Sequence, residues 1–347
     1  MKADLAVSPR VHGGADPHGA PRYDFSTNSN ACGPCPAAQA AVAKADASRY
    51  PDATYTALRQ QLAAFHGVAA QRVVLAASAS EFIFRITALA AQTAGEGGTV
   101  WLPPHSYGDY AQAARAHRLV ISENPAAALL LWACEPSSPL GAAQAGLAGL
   151  VDDHAATAML VLDCAYEPLR LGGARALTAA QLQAVWQLFT PNKALGLTGV
   201  RAAYAIAPVD AHEAVAALEW LCPSWPVGAH GVAMLQAWTS PGVQAWLAGT
   251  LKTLRDWKAR QLAVCNSLGW ICLSSDANFF CARPALPTAM TLQQALIELR
   301  THGVKLRDTA SFDLAGHVRI GVLPPVAQNA LRQAWHLLAF TMNGTPQ

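Results

Sequence analysis

Lys193 stands in the run Phe189-Thr190-Pro191-Asn192-Lys193-Ala194-Leu195-Gly196-Leu197-Thr198-Gly199-Val200-Arg201, one amine in a Gly/Thr/Pro-rich loop with a guanidinium eight positions later. A lysine in an apolar, glycine-containing turn can be desolvated, and a desolvated amine is a nucleophile suited to Schiff-base chemistry. Taken alone, a loop lysine is more often simply solvated. The company here favours chemistry: a hydroxyl at Thr190, a guanidinium at Arg201, and Asp163-Cys164-Ala165-Tyr166 some thirty residues upstream. Together these supply an amine, an anion clamp, and an acid with a phenol for an aromatic ring.

The elements that must position these groups are legible from periodicity. Ala158-Met159-Leu160-Val161-Leu162-Asp163 is an apolar run ending in a carboxylate, as expected for a buried parallel strand with its functional group at the carboxyl end. Burial there favours a neutral Asp163 unless a cation pairs with it, and a plain helix cap is the alternative reading. Val73-Val74-Leu75-Ala76-Ala77 predicts another buried strand, after which Ser78-Ala79-Ser80-Glu81 opens a helix through Phe82, Ile83 and Ile86. Such a turn is either a phosphate site at a helix N-terminus or an ordinary cap. Short strands at 100–102 and 128–132 lead into Pro103-Pro104-His105-Ser106-Tyr107-Gly108-Asp109-Tyr110 and Glu135-Pro136-Ser137-Ser138-Pro139-Leu140-Gly141.

Strand and helix patterns alternate from about 46 to 220, the signature of an α/β fold with a doubly wound, mainly parallel sheet. Pro223-Ser224-Trp225-Pro226 breaks the alternation, and two helices (231–238 and 243–268) lead to strands near 270–273 and 278–281. The expected organisation is an N-terminal arm (1–45) joining a small α+β domain (241–347), with a large domain (46–240) between them.

At 347 residues, 52% hydrophobic and 13% charged, the chain can bury a large core and a subunit interface. A net charge of +2 gives no reason to propose nucleic acid or an anionic membrane as partner, so a small ligand is expected. Met1–Arg10 has no apolar core of signal-peptide length and no later run approaches a membrane span, which points to the cytoplasm. Eight scattered cysteines fit a reducing compartment. Cys32-Gly33-Pro34-Cys35 spells a thioredoxin-type tetrapeptide, but it follows a polar stretch instead of a strand, and no second ligand pair suggests a metal.

Thr190-x-x-Lys193 with Arg201 resembles the cofactor-lysine motif of the class I/II aminotransferase superfamily, the pyridoxal-phosphate (PLP) enzymes of fold type I. Asp163-x-x-Tyr166 is similar to that family's strand-end pair. The likeness in residue type, order and spacing covers most of the chain. It implies PLP attached through Lys193, Asp163 holding the pyridinium nitrogen, and Tyr166 reaching the ring O3′. Ser78, Ala79 and Ser80 occupy the place of the phosphate turn, commonly glycine-bearing in the family, and Thr190 and Arg201 complete the cofactor contacts. Tyr107 would lie over the ring. Ser138 stands where the family's Asn-Pro-Asn-Asn-Pro-Thr-Gly has an asparagine donating to O3′. Tyr50, in Ser48-Arg49-Tyr50-Pro51-Asp52, resembles the tyrosine that crosses a homodimer interface to the neighbouring cofactor phosphate.

Val318-Arg319-Ile320-Gly321-Val322 resembles the strand whose arginine grips the substrate α-carboxylate, and an arginine in an apolar strand needs an anion. Arg307 matches the position of a distal-phosphate arginine. His12-Gly13-Gly14 followed by Asp24-Phe25-Ser26-Thr27-Asn28-Ser29-Asn30 and Gly33-Pro34 resembles the cobalamin-pathway branch typified by threonine-phosphate decarboxylase, with Asn28 and Asn30 lining the substrate pocket. The implied activity is L-threonine-O-3-phosphate decarboxylation, with an amino-acid or histidinol-phosphate-type aminotransferase as the alternative. A nucleotide-dependent dehydrogenase lacks its Gly-x-Gly-x-x-Gly turn here, and a non-catalytic family member is the remaining reading.

Overall fold

The computed structural model describes residues 12–343 except 96 and 289, and side chains as far as 338; Met1–Arg10 and Glu96 lie outside the described residues. In chain order the first strands are β1 (Tyr23–Asp24), β2 (Val73–Ala76), β3 (Thr99–Trp101), β4 (Val120–Ser122), β5 (Leu130–Cys134), β6 (Met159–Asp163) and β7 (Trp186–Phe189). They are followed by β8 (Ala203–Ile206), β9 (Ile271–Cys272), β10 (Phe279–Arg283), β11 (Val304–Lys305), β12 (Arg307–Asp308) and β13 (Val318–Gly321).

Seven strands form the central sheet in the order β2-β8-β7-β6-β5-β3-β4. β8 is antiparallel to both its neighbours and every other pairing is parallel, so the mainly parallel sheet expected from the alternating pattern is what the chain forms. Because both faces are covered, the inner strands read as unbroken apolar runs and their side chains sort alternately to two cores. Leu131, Leu160, Leu162 and Tyr204 enter the core under the helices Thr56–His66, Leu147–His154 and Ala229–Trp238. Trp132, Val161, Leu188 and Ala203 enter the other, under Ala79–Ala94, Gly108–Ala116 and His212–Trp220.

A second sheet, β12-β13-β10-β9, is antiparallel throughout. Phe280 and Ile320 from it pack with Leu299, Leu331 and Trp335 from the helices Leu292–Thr301 and Pro325–Asn343. The N-terminal segment divides between the two bodies. β1 pairs with β11 and Phe25 enters the core of the second sheet, while Ala38 of the helix Pro36–Ala43 packs on the central sheet. The helix Pro241–Ser267 likewise gives Val243, Leu247 and Leu254 to one core and Val264 and Cys265 to another. No described helix is long and apolar enough to cross a membrane.

His66 closes the helix Thr56–His66 beside the sheet. Tyr204 hydroxyl accepts from Trp238 Nε1 at 3.0 Å, which leaves its own proton for His66 Nε2 at 2.8 Å. That arrangement requires neutral imidazole, and burial lowers the His66 pKa from 6.5 to about 4. The unfolded chain therefore binds this proton first as pH falls. Stability from this group is complete above pH 6.5 and is lost towards pH 4, by roughly 1–3 kcal/mol. Urea unfolding of wild type and His66→Phe at pH 7.5 and 4.5 should show a shallower pH dependence in the variant; parallel profiles would count against it.

Candidate active site

Parallel strands deliver the residues that follow them to one edge of a sheet, and the site lies there. Ser78 follows β2, Tyr107 follows β3, Ser138 follows β5, Asp163 ends β6 and Thr190 follows β7, and all of them line one cavity of about 530 Å³. Arg201 reaches the same cavity because it precedes the one reversed strand, β8. The volume suits a cofactor with a small substrate.

Lys193 lies in the four-residue helical turn Pro191–Ala194, its Nζ 3.4 Å from Thr190 Oγ1 and 5.5 Å from the centre of the Tyr166 ring. The backbone of this loop is held by the N-terminal segment. Asn30 N–H donates to the Lys193 carbonyl at 2.9 Å, and Cys35 N–H donates to the Leu195 carbonyl at 2.8 Å. Gly196, at φ +69°, passes so close to Gly33 that an added Cβ would meet its Cα at 3.0 Å, which explains the glycine on each side.

The expectation for Asn30 needs correcting: it does not line the cavity. Its side-chain amide donates to the Ala194 carbonyl and to Thr250 Oγ1, both at 3.0 Å, while its Oδ1 accepts from Cys32 N–H. A buried amide with its hydrogen-bonding groups occupied is a brace for the lysine loop. Asn28 does line the cavity. Its Nδ2 donates to the Tyr166 hydroxyl at 3.4 Å, and its buried Oδ1 has no partner among the described residues.

Asp163 is 5% exposed. Burial pushes its carboxyl up, opposed by a hydrogen bond from Tyr110, the nearby charge of Lys193 and the Ala165 N–H. At the helix Ala79–Ala94, Ser78 Oγ caps Glu81 N–H at 3.1 Å, so this hydroxyl serves the helix. Ala79 and Ser80 still present the first helical turn to the cavity, where N–H groups lack intrahelical acceptors and the dipole is positive. Tyr107 lines the adjoining wall, its hydroxyl 3.4 Å from Ser80 Oγ.

Two more arginines, Arg307 and Arg319, line the cavity. Arg319 makes only long contacts, donating to Ser138 Oγ at 3.3 Å and the Ser26 carbonyl at 3.4 Å, and its buried Nε has no partner among the described residues. Arg307 donates to the Asp308 carbonyl and Ser311 Oγ, each at 2.7 Å. Burial and the nearness of Arg319 lower its pKa to about 10. Both guanidinium groups lie over the Phe312 ring, at 4.9 Å from Arg307 and 5.4 Å from Arg319. Phe312 and Tyr110 are the residues that sequence reasoning missed, and only the Tyr107-x-x-Tyr110 spacing offered a signal for either. Tyr50 lies outside the cavity, 78% exposed and stacked on Trp225 at 4.4 Å.

Cys32 and Cys35 are free thiols, and burial pushes Cys32 up, opposite to a reactive thiolate. No metal-binding group of three or more His, Cys, Asp or Glu side chains occurs among the described residues.

The donor set fits PLP: an amine for the aldehyde, a buried carboxylate for a pyridinium proton, a helix start with Arg201 for the phosphate, and orphaned polar atoms at Asn28 and Arg319. Fold and site together define a fold type I PLP-dependent transferase. The chain belongs to the class I and II aminotransferases, whose family model matches residues 22–337, and PLP is that family's cofactor. Among curated proteins it is similar to the histidinol-phosphate aminotransferase of Jannaschia sp., 28% identical over 339 residues, covering 91% of this chain and 89% of the relative. That of a Ruegeria sp. is 29% identical over 335 residues, covering 89% of each. Among solved structures it resembles histidinol-phosphate aminotransferase from Sinorhizobium meliloti in complex with pyridoxal-5′-phosphate, at TM-score 0.77 and 19% identity over 91% of this chain and 90% of that one. L-threonine-O-3-phosphate decarboxylase from Porphyromonas gingivalis aligns at TM-score 0.74 and 18% identity, over 90% of this chain and 98% of that one.

The two asparagines give a direct test. Asn30→Ala should cost about 2–3 kcal/mol in urea unfolding, because several buried groups lose partners, whereas Asn28→Ala should cost under about 1 kcal/mol. Equal losses would contradict the division between brace and pocket.

Proposed function

We propose that the enzyme acts at the Cα of an amino acid carrying a second anionic group, as an L-threonine-O-3-phosphate decarboxylase-like enzyme. The observation that carries this reading is the pair of buried arginines, Arg319 and Arg307, over one phenyl ring. One takes the α-carboxylate and the other the distal phosphate, and their mutual repulsion favours a ligand with two negative groups. Ser26, Thr27 and His12, all from the arm motif that resembles threonine-phosphate decarboxylase, line the same cavity.

Lys193 would hold PLP through its amine and would carry protons at the substrate Cα. Asp163 keeps the ring nitrogen protonated, and Tyr166 orients the O3′ corner. The backbone of Ser78, Ala79 and Ser80, with Thr190 and Arg201, would hold the phosphate end, and Tyr107 would lie against the ring and exclude water. Bound PLP supplies the electron sink for the pair left at Cα when a bond there breaks. Arg319 would orient the substrate carboxylate, and that orientation would decide between loss of the carboxylate and loss of the Cα proton. Tyr50 serves a second subunit's phosphate in a homodimer, in the cytoplasm.

The second reading is an amino-acid or histidinol-phosphate-type aminotransferase, favoured by the names of the near-full-length relatives. Incubation with phosphothreonine, assayed for released CO₂, and with histidinol phosphate and common amino acids plus a keto acid, assayed for amino transfer, separates the two. CO₂ release supports the first reading; keto-acid-dependent transfer without it overturns that reading in favour of the second. The purified protein should absorb in the visible range and Lys193→Ala should not. Arg307→Ala should lower kcat/KM for phosphothreonine roughly 30–1000-fold, the equivalent of about 2–4 kcal/mol, with little change for threonine itself.

A further inference from the structure

Asp163 can serve a pyridinium only as an anion aimed into the cavity, yet it ends a strand whose preceding residues, Leu160 to Leu162, are buried. Side chains that hold it must come from other elements. Tyr110, in the first turn of the helix Gly108–Ala116, is fully buried and donates its hydroxyl to Asp163 Oδ2 at 2.7 Å. The other carboxylate oxygen, Oδ1, accepts from Ala165 N–H at 2.9 Å. The Tyr110 ring lies flat on Trp132, with centroids 4.3 Å apart and planes 10° from parallel, and meets Tyr107 edge-on at 5.8 Å. A phenol clamped in this way has little freedom to rotate its oxygen away from the carboxylate.

We infer that Tyr110 is a positioning residue, one that keeps Asp163 ionised and aimed at the cofactor's ring nitrogen by a fixed phenol-to-carboxylate hydrogen bond. This rests on the assignment of Asp163 to that nitrogen. Tyr110 itself titrates well above its ordinary range, because burial and the neighbouring Asp163 both disfavour a phenolate, so it remains a donor across the working pH range. The other titratable groups facing Asp163 are Lys193, whose charge favours the carboxylate, and the buried thiols Cys134 and Cys164, which burial and Asp163 itself keep neutral. Burial pushes the Asp163 carboxyl up, and the Tyr110 hydrogen bond, the Lys193 charge and the Ala165 N–H each favour the anion against it. Spacing completes the design: residues three apart at a helix start share a side, so one turn supplies both Tyr107 on the cavity wall and Tyr110 behind the carboxylate.

Tyr110→Phe removes the hydroxyl and keeps the ring on Trp132, so packing survives. Without the hydrogen bond the Asp163 carboxyl takes up its proton at higher pH, and the cofactor contact is lost sooner as the solution is acidified. The holoenzyme is dialysed at stepped pH and retained PLP is read from its visible absorbance. The midpoint of cofactor loss should move up by about one pH unit in Tyr110→Phe, a roughly tenfold change in proton affinity, while Tm of the cofactor-free protein at neutral pH stays near wild type. Asp163→Asn is the control that cannot titrate, and it should weaken PLP retention at every pH. A Tyr110→Phe midpoint equal to wild type, with Asp163→Asn weakened, overturns the role of Tyr110 alone. Undiminished retention in Asp163→Asn would instead remove the assignment of Asp163. A fall in Tm of the cofactor-free Tyr110→Phe protein, without a shifted midpoint, would reduce Tyr110 to core packing.

Discussion

A carboxylate at the end of a dry strand is the constraint around which the rest of the site is arranged. An unpaired anion in an apolar interior costs several kcal/mol, and the usual escape is to take up a proton. At Asp163 burial pushes the carboxyl up, and a phenol, the charge of Lys193 and a backbone N–H all work against that escape. Each comes from a different place in the chain, so the carboxylate reports whether the β6 end, the lysine loop and the helix Gly108–Ala116 are correctly docked. Positive charge is concentrated elsewhere in the cavity, at Arg201, Arg307 and Arg319. The polarity of the cofactor and substrate, cationic at the ring nitrogen and anionic at phosphate and carboxylate, is thus mirrored by the walls.

The sheet makes that mirror possible. Five strands running the same way would bring only their following loops to the site. Arg201 comes before its strand, so it can join them only if β8 runs backwards. Were β8 parallel, residue 201 would sit at the opposite edge, at least about 13 Å away over four residues of strand. The chain between β7 and β8 therefore turns back at a single edge, and Lys193 and Arg201 face one cavity although they are eight residues apart. The antiparallel β8 is as much a part of the site as the lysine it follows.

Much of this was legible because the reactive groups sit at strand ends in compact, chemically mixed pairs. An acid with a phenol at 163 and 166, or a hydroxyl with an amine at 190 and 193, has little reason to adjoin an apolar run for packing alone. Tyr107 and Tyr110 have the same spacing, but two tyrosines look like ordinary core aromatics until the partner of the second is seen. Asn28 and Asn30 were indistinguishable for the opposite reason. They share a residue type and a turn, and only the backbone path decides that one amide meets Tyr166 while the other is consumed by Ala194 and Thr250. The helix Pro241–Ser267 hides the expected division at 241, since its heptad-scale pattern does not change where it passes from one core to the next. Phe312 could not be found at all, because an aromatic in a turn near Asp313 carries no mark of the two arginines above it.

The way Arg319 is held bears on what it can bind. Arg170 shows the ordinary alternative: its edge is spent on Glu135 at 2.9 Å and Glu167 at 2.8 Å, which fastens the 135–139 loop and leaves little for a ligand. Arg319 is fixed through its faces instead, over Phe279 at 5.6 Å and Phe312 at 5.4 Å, with only long contacts along its edge. Aromatic faces hold a guanidinium plane without satisfying its N–H groups, so the donors stay available and their direction is set. Serine at 138 fits that scheme, since its short hydroxyl meets the guanidinium edge at 3.3 Å without competing as a carboxylate would. Serine at 138 therefore ties this loop to Arg319, while Asn28 stands beside the phenol of Tyr166.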